Sequence, residues 1–181
     1  MNFDEQPIIA AVRDEDGLLA ACESECEVIF LLSSDILSLP RAIEQAHAHD
    51  KKLFLHVDLA EGVGKDASGI RYLAHLGVDG IISTRNSTVK HARENGLLCV
   101  QRFFMVDSHS VDTALDSIRA ARPDMIEIMP GIATKTIKRL FKEVSVPIIA
   151  GGLLEEKEEL FAALSAGASA ISTGKPELWK V

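Results

Sequence analysis

Two glycine-bearing segments near the end of the chain have the composition of a phosphate site. Residues 148–153 read IIAGGL and residues 170–174 read AISTG, so each short apolar run leads into glycine. Glycine weakens the strand that it ends, but it lets backbone N–H groups approach a ligand closely, and that ligand is often a phosphate. The predicted phosphate-binding residues are Gly151, Gly152, Ser172, Thr173 and Gly174.

Polar residues stand in the carboxyl halves of four other apolar runs. In a parallel sheet this is the expected position of a ligand-facing layer. Two interpretations remain open: a network of internal ion pairs, which buried charges require, or a polar ligand site. A histidine in such a place is more typical of a hydrogen-bonded core residue than of a base. The candidate ligand-binding residues are His56, Asp58, Arg85, Arg102 and Glu127.

Covalent catalysis is not indicated by the sequence. No lysine lies inside or at the carboxyl end of the first seven apolar runs, which argues against a Schiff-base aldolase. Asp58 and Glu127 could act as an acid and base pair, but no serine or cysteine nucleophile stands beside a base in a recognisable motif. We therefore predict no catalytic residue, no cofactor and no metal site.

The elements that must position these residues are eight short apolar runs that alternate with stretches of helical period. Several helical stretches end in Gly or Pro, as helix C-termini do. This alternation predicts an α/β fold of parallel βαβ units: a small (β/α)8 TIM-like barrel, with an open doubly wound sheet as the alternative. The predicted strands are 8–12, 28–32, 53–58, 80–84, 98–104, 125–129, 147–150 and 170–173.

This barrel supports the phosphate prediction, because loops after its seventh and eighth strands frequently bind phosphate. The chain is short for the fold, with 181 residues as one predicted domain where about 200 are usual. Only residues 174–181 follow the last strand, so we expect a truncated eighth helix. Leu178 and Trp179, or a second subunit, could close the uncovered wall, and a homodimer is one expectation.

Composition favours a cytoplasmic protein. The first residues are acidic and do not resemble a signal peptide, and no apolar run approaches the roughly 20 residues that span a membrane. Three cysteines, an odd number, suit a reducing compartment. The formal charge of -8 argues against wholesale binding to nucleic acid or anionic membrane, so any such binding needs a local basic patch.

One basic patch is present on a predicted helix. Its four residues recur at helical spacing, opposite the apolar face formed by Ile137, Leu140 and Phe141. Taken from the residues alone, a solvated helix face is the ordinary interpretation, and RNA binding is the alternative. The four residues are Lys135, Lys138, Arg139 and Lys142.

Five motifs, in order along the chain, resemble those of the glycerol-3-phosphate-responsive antiterminators, which regulate glycerol uptake operons in Gram-positive bacteria. The resemblance covers nearly the whole chain, from Ile8 to Trp179. It implies a barrel without known catalysis that binds glycerol 3-phosphate and then acts on leader mRNA of a glycerol-utilisation operon. The motifs are HVDLAEG (56–62), GIISTR (80–85), QRFFMVDS (101–108), IEIMPG (126–131) and PIIAGG (147–152).

Under this hypothesis the glycine segments would bind the phosphate, and the basic helix face would contact RNA. Asp58 and Glu127 would bind the glycerol hydroxyls, and Arg85 or Arg102 would balance their charge. The alternative is a TIM-barrel enzyme, an isomerase, synthase or lyase, that acts on a small phosphorylated triose or sugar. Asp58 and Glu127 would then be its acid and base.

Overall fold

The structure is a computed structural model that describes residues 3 and 5–180. The strands in this part of the chain are β1 (Ile8–Val12), β2 (Val28–Leu31), β3 (Ser34–Asp35), β4 (Lys52–His56), β5 (Ala60–Glu61), β6 (Gly80–Ser83), β7 (Leu98–Phe104), β8 (Met125–Met129), β9 (Ile148–Gly151) and β10 (Ala170–Thr173). Eight of them close into a parallel barrel in the order β1-β2-β4-β6-β7-β8-β9-β10. The predicted (β/α)8 barrel is confirmed, and the open-sheet alternative is wrong.

Helices connect successive barrel strands. They are α1 (Glu15–Glu23), α2 (Leu39–Ala48), α3 (Ala67–Leu76), α4 (Asn86–Glu94), α5 (Ser108–Ala121), α6 (Thr134–Phe141) and α7 (Lys157–Ser165). The side chains of Asp14, Asp66 and Asp107 cap α1, α3 and α5 by accepting a backbone N–H, so these helices begin at fixed points after the strand ends. Among the described helices, none is both long and apolar enough to span a membrane.

The amino-terminal part of the barrel interior is an apolar core. Side chains alternate along each strand, and the ladder pairs Phe30 with Phe54 and Ile82 with Val100. These four residues are almost fully buried and belong to one cluster, which Phe3 joins. The core therefore fills the barrel below its carboxyl-terminal mouth.

The inward-facing layer nearer the carboxyl ends is polar. Arg102 pairs with Glu127 across β7 and β8, and Gly151 pairs with Ser172 across β9 and β10. Each of these residues lies two positions beyond an apolar interior residue, so it points into the barrel as well. Arg102, Glu127 and Ser172 are buried, which means that their charges and hydroxyl must be satisfied inside the protein.

A second, two-stranded sheet was not predicted. β3 and β5 pair in parallel beside the mouth, with Ser34 opposite Ala60 and Asp35 opposite Glu61. Strands of two residues are too short to produce a periodic pattern, so the sequence carried no signal for them. A related correction concerns Asp58: the third barrel strand ends at His56, and Asp58 lies in the 3-10 turn Val57–Leu59 rather than in the strand.

The eighth helix is truncated, as expected. A single 3-10 turn, Pro176–Leu178, follows β10, and Leu178 and Trp179 are buried against the barrel. The indole Nε1 of Trp179 donates a hydrogen bond to the carbonyl of Thr173 at 2.9 Å. Trp179 thus covers the barrel wall that a full helix would otherwise cover.

We expect Trp179→Ala to lower the free energy of unfolding by about 3–5 kcal/mol, because it removes a buried aromatic side chain and leaves a cavity. Urea unfolding measures the loss. Phe161→Ala is the matched control, since Phe161 is 54% exposed on α7 and should cost much less. Equal losses for the two variants would show that Trp179 does not close the barrel.

Candidate functional site

A cavity of about 240 Å³ opens at the mouth of the barrel, at the carboxyl ends of the strands. Six of the predicted site residues line it together: Arg102, Glu127, Gly152, Ser172, Thr173 and Gly174. The other lining residues are Ala11, Arg13, Leu32, Met129, Leu153, Leu154, Glu155 and Lys175. The sequence-predicted phosphate and polar residues therefore meet at one place.

The glycine corner of this cavity is built for close backbone approach. Gly152 has φ +74°, in the left-handed region, and a Cβ at this position would lie 2.6 Å from Cε of Met129. A Cβ on Gly174 would lie 3.2 Å from the carbonyl oxygen of Ala11. Within residues 3 and 5–180, the N–H groups of Gly152 and Gly174 donate no hydrogen bond, so both remain available to an anion.

The loops that carry the glycines are held in place by their neighbours. The N–H of Gly131 donates to the carbonyls of Gly151 and Gly152, at 2.6 and 2.9 Å. The N–H of Met105 donates to the carbonyl of Met129 at 2.7 Å, which links the loops after β7 and β8. These bonds place the β9 loop against the rest of the mouth and fix the shape of the corner.

The floor of the cavity is a buried array of charge. Nε of Arg102 donates to Oε2 of Glu127 at 2.5 Å, and the hydroxyl of Ser172 donates to Oε1 of Glu127 at 2.6 Å. Both carboxylate oxygens are thus satisfied, while the Nη donors of Arg102 have no hydrogen-bond partner within the described residues. Gly151 lies directly beside this array, and a Cβ there would be 2.6 Å from Oγ of Ser172.

Asp58 and Arg85 lie outside the cavity lining. The carboxylate of Asp58 accepts hydrogen bonds from the hydroxyl of Ser83 at 2.8 Å and from the N–H and hydroxyl of Thr84 at 2.7 and 3.0 Å. Nε of Arg85 stands 3.8 Å from the same carboxylate, and its side chain is exposed. For these two residues the structure favours the ion-pair interpretation, since Asp58 fixes the end of β6.

His56 is a buried histidine without a hydrogen-bond partner. Both ring nitrogens are shielded from solvent and unpaired within the described chain, and Nε2 lies 3.9 Å from the carboxylate of Asp58. Burial, and then the positive charge of Arg102, lower the pKa of His56 to about 4. The ring is therefore neutral near pH 7, with one donor and one acceptor still unused.

The sequence reasoning missed two cations at the mouth, Arg13 and Lys175. Arg13 continues the inward-facing alternation of Ile9 and Ala11 one step past β1, and this was the signal that could have identified it. Lys175 directly follows Gly174, and its Nζ lies 3.7 Å from the carboxylate of Glu155. Both side chains line the cavity.

The four basic residues on α6 and at its C-cap lie away from the cavity lining. All four side chains are exposed, at Lys135, Lys138, Arg139 and Lys142. Arg139 is engaged by acids of its own surroundings, at 2.5 Å from Asp112 and 3.4 Å from Glu143. The three lysines therefore carry most of the unbalanced positive charge of this face.

We expect His56→Gln to flatten the pH dependence of stability between about pH 6.5 and pH 4. As the pH falls below about 6.5, His56 is protonated in the unfolded chain but stays neutral in the folded chain. The free energy of unfolding therefore decreases. Roughly 1–3 kcal/mol of that decrease should vanish in the variant, measured by urea unfolding at several pH values. His109→Gln, at an exposed histidine, is the control; unchanged slopes in both would contradict the assignment.

Comparison with known proteins gives a family. Residues 8–179 match the model described as glycerol-3-phosphate responsive antiterminator. A glycerol uptake operon antiterminator regulatory protein from Listeria monocytogenes has a TM-score of 0.95 and 31% identity, over 99% of this chain and 98% of that chain. An antiterminator-related protein of the same operon type from Thermotoga maritima has a TM-score of 0.87 and 34% identity, over 96% and 98%.

The chain is also 36% identical to the uncharacterized protein YgcP of Escherichia coli K12 over 176 residues, which are 97% of this chain and 92% of that protein. The resemblance inferred from the five motifs is thus confirmed over nearly the whole chain. The chain belongs to the glycerol-3-phosphate-responsive antiterminator family.

Proposed function

We propose that this protein is a transcription antiterminator that binds glycerol 3-phosphate in the mouth cavity and then acts on leader mRNA of a glycerol-utilisation operon. One observation carries the ligand half: unpaired backbone donors and three cationic side chains surround a small cavity with a polar floor. The family and the names of the Listeria and Thermotoga relatives support the regulatory half.

The phosphate group belongs at the glycine corner. The free N–H groups of Gly152 and Gly174, together with the hydroxyl of Thr173, supply neutral donors there, and Lys175 adds positive charge. Glu155, which lines the same cavity just before α7, would repel an anion placed over the start of that helix. The phosphate is therefore placed nearer β10 than α7.

The glycerol hydroxyls belong at the floor. Arg102 keeps free Nη donors, and Glu127 and Ser172 can each share a further hydrogen bond with a hydroxyl. His56 does not line the cavity, and its ring nitrogens are shielded, so it would bind a hydroxyl only if a floor side chain moved. Asp58 is already satisfied by Ser83 and Thr84, so the proposal for hydroxyl recognition rests on the other residues.

Cavity size favours a small ligand. Pockets for drug-sized molecules measure about 300–1,000 Å³, whereas this cavity holds about 240 Å³. A three-carbon phosphate ester suits it better than a hexose phosphate. The enzyme alternative gains no support from the floor, where the carboxylate of Glu127 is held by Arg102 and Ser172 and is not free to act as a base.

We propose further that RNA contacts the exposed face of α6. Lys135, Lys138 and Lys142 would neutralise phosphates of the leader RNA. Such phosphate contacts are the sequence-independent part of RNA binding. Arg139 contributes less in the free protein because Asp112 already neutralises it. This surface lies on the barrel exterior, so RNA and the small ligand would bind at different sites.

We expect Gly152→Leu to weaken binding of glycerol 3-phosphate at least tenfold, because the side chain would displace Met129 and close the corner. Isothermal titration calorimetry measures the affinity. Gly96→Leu is the matched control: Gly96 has the same φ of +74°, but a Cβ there meets nothing within 4 Å, so the variant carries the backbone strain without touching the cavity. Equal affinities for the two variants would contradict the proposal that the phosphate binds at the glycine corner.

Charge reversal of the α6 face should abolish salt-dependent binding of leader RNA. Each lost phosphate contact reduces the slope of log affinity against log salt concentration by roughly 0.7–0.9. Fluorescence anisotropy titrations at several salt concentrations measure this slope. The variant replaces Lys135, Lys138, Arg139 and Lys142 by Glu. The control makes the same charge change at Arg71, Lys90, Arg93 and Lys157. If the first variant binds RNA like the wild type, α6 is not the RNA surface.

A further inference from the structure

Arg13 is the unbalanced cation of the mouth. Among residues 3 and 5–180 it has no ion-pair partner within 4 Å and no side-chain hydrogen bond, although a guanidinium carries five donors. The other charged residues that line the small cavity are paired: Arg102 with Glu127, and Lys175 with Glu155 at 3.7 Å. The lining thus carries three positive and two negative charges, and the excess is that of Arg13.

A second cavity, of about 710 Å³, lies beside the first at the carboxyl ends of β1 and β2. Its charged lining has the opposite balance. Arg41 is paired with Glu15 at 3.0 Å, which leaves Asp14, Asp35 and Glu61 as the excess negative charge around Arg13. This acidic cavity and the ligand cavity share Arg13 in their linings.

We propose that Arg13 is a phosphate-binding residue that reports occupancy of the ligand cavity to the acidic cavity. This inference rests on the proposed function, since it assumes a phosphorylated ligand. A phosphate ester with two negative charges attracts a guanidinium strongly and can accept two parallel hydrogen bonds from it. The carboxylates of the acidic cavity attract the same side chain at longer range, because none of those in the described residues lies within 4 Å of it.

Under this proposal Arg13 has two positions, one toward the phosphate and one toward the acidic cavity, and they give the acidic cavity two charge states. When Arg13 turns to the phosphate, the acidic cavity loses its one positive charge that is not paired within the described residues. Asp35 accepts the backbone N–H groups of Leu37 and Ser38 at 2.8 and 3.0 Å, and the hydroxyl of Ser38 at 2.7 Å. In this proposal the backbone amides of Leu37 and Ser38, which Asp35 accepts, respond to ligand through Arg13. They do so because the ligand interacts differently with the two positions of Arg13.

Calorimetry with glycerol 3-phosphate tests the binding role. Arg13→Gln should weaken affinity roughly tenfold or more, since it removes a charge-assisted contact, and Arg13→Lys should fall between it and the wild type. Arg41→Gln is the matched control, because Arg41 lines the acidic cavity but not the ligand cavity. If Arg13→Gln binds like the wild type, this inference is overturned while the ligand site stands. If the wild type itself fails to bind, the proposed function and this inference fall together.

Amide hydrogen exchange tests the relay. Saturating glycerol 3-phosphate should change the exchange rates of Leu37 and Ser38 in the wild type and in Arg41→Gln. The same ligand occupancy in Arg13→Gln, reached at a higher concentration, should leave both rates unchanged. An equal change in Arg13→Gln would show that these amides respond without Arg13, which overturns the relay.

Discussion

The carboxylate of Glu127 sets the arrangement of the barrel mouth, because a charge with no exposure to solvent must be satisfied inside the protein. Arg102 does this from the neighbouring strand β7, and Ser172 does it from β10, across Gly151 of β9, which leaves the space that the array needs. Removal of one partner from a buried ion pair typically costs about 3–5 kcal/mol. The strands β7 to β10 are therefore tied to one another at the level where the ligand would rest.

The same constraint explains why the site is suited to binding rather than to proton transfer. Glu127 is occupied as an acceptor, and His56 is neutral because burial lowers its pKa to about 4. The other polar groups at the cavity are mainly donors: the backbone N–H groups of the glycine corner, the Nη atoms of Arg102, and the cations Arg13 and Lys175. A mouth rich in donors, with its loops hydrogen-bonded to one another, would bind the proposed anion with little rearrangement.

Much of this could be predicted from the sequence, for identifiable reasons. Eight apolar runs and the glycines after the last two strands produce strong periodic and compositional signals, so the barrel and the glycine corner were predictable. Arg102 and Glu127 stood out because they interrupt apolar strands. Asp58 could not be separated from them, since the sequence does not show that its strand ends two residues earlier. Nothing in the sequence shows which charges will be neutralised by neighbours. Only the three-dimensional structure shows that Arg139 is paired with acidic residues, whereas Arg13 has no such partner within the described residues.

Thermal unfolding with and without glycerol 3-phosphate tests the central claim most directly, with glycerol and inorganic phosphate as controls. A ligand at about 100 times its dissociation constant adds roughly 2.7 kcal/mol of stability. For a chain of this size each kcal/mol raises the midpoint by roughly 2–4 °C. We predict a rise of several degrees with glycerol 3-phosphate, well above either control. The absence of a rise over the whole accessible concentration range, or an equal rise with inorganic phosphate, would contradict the account.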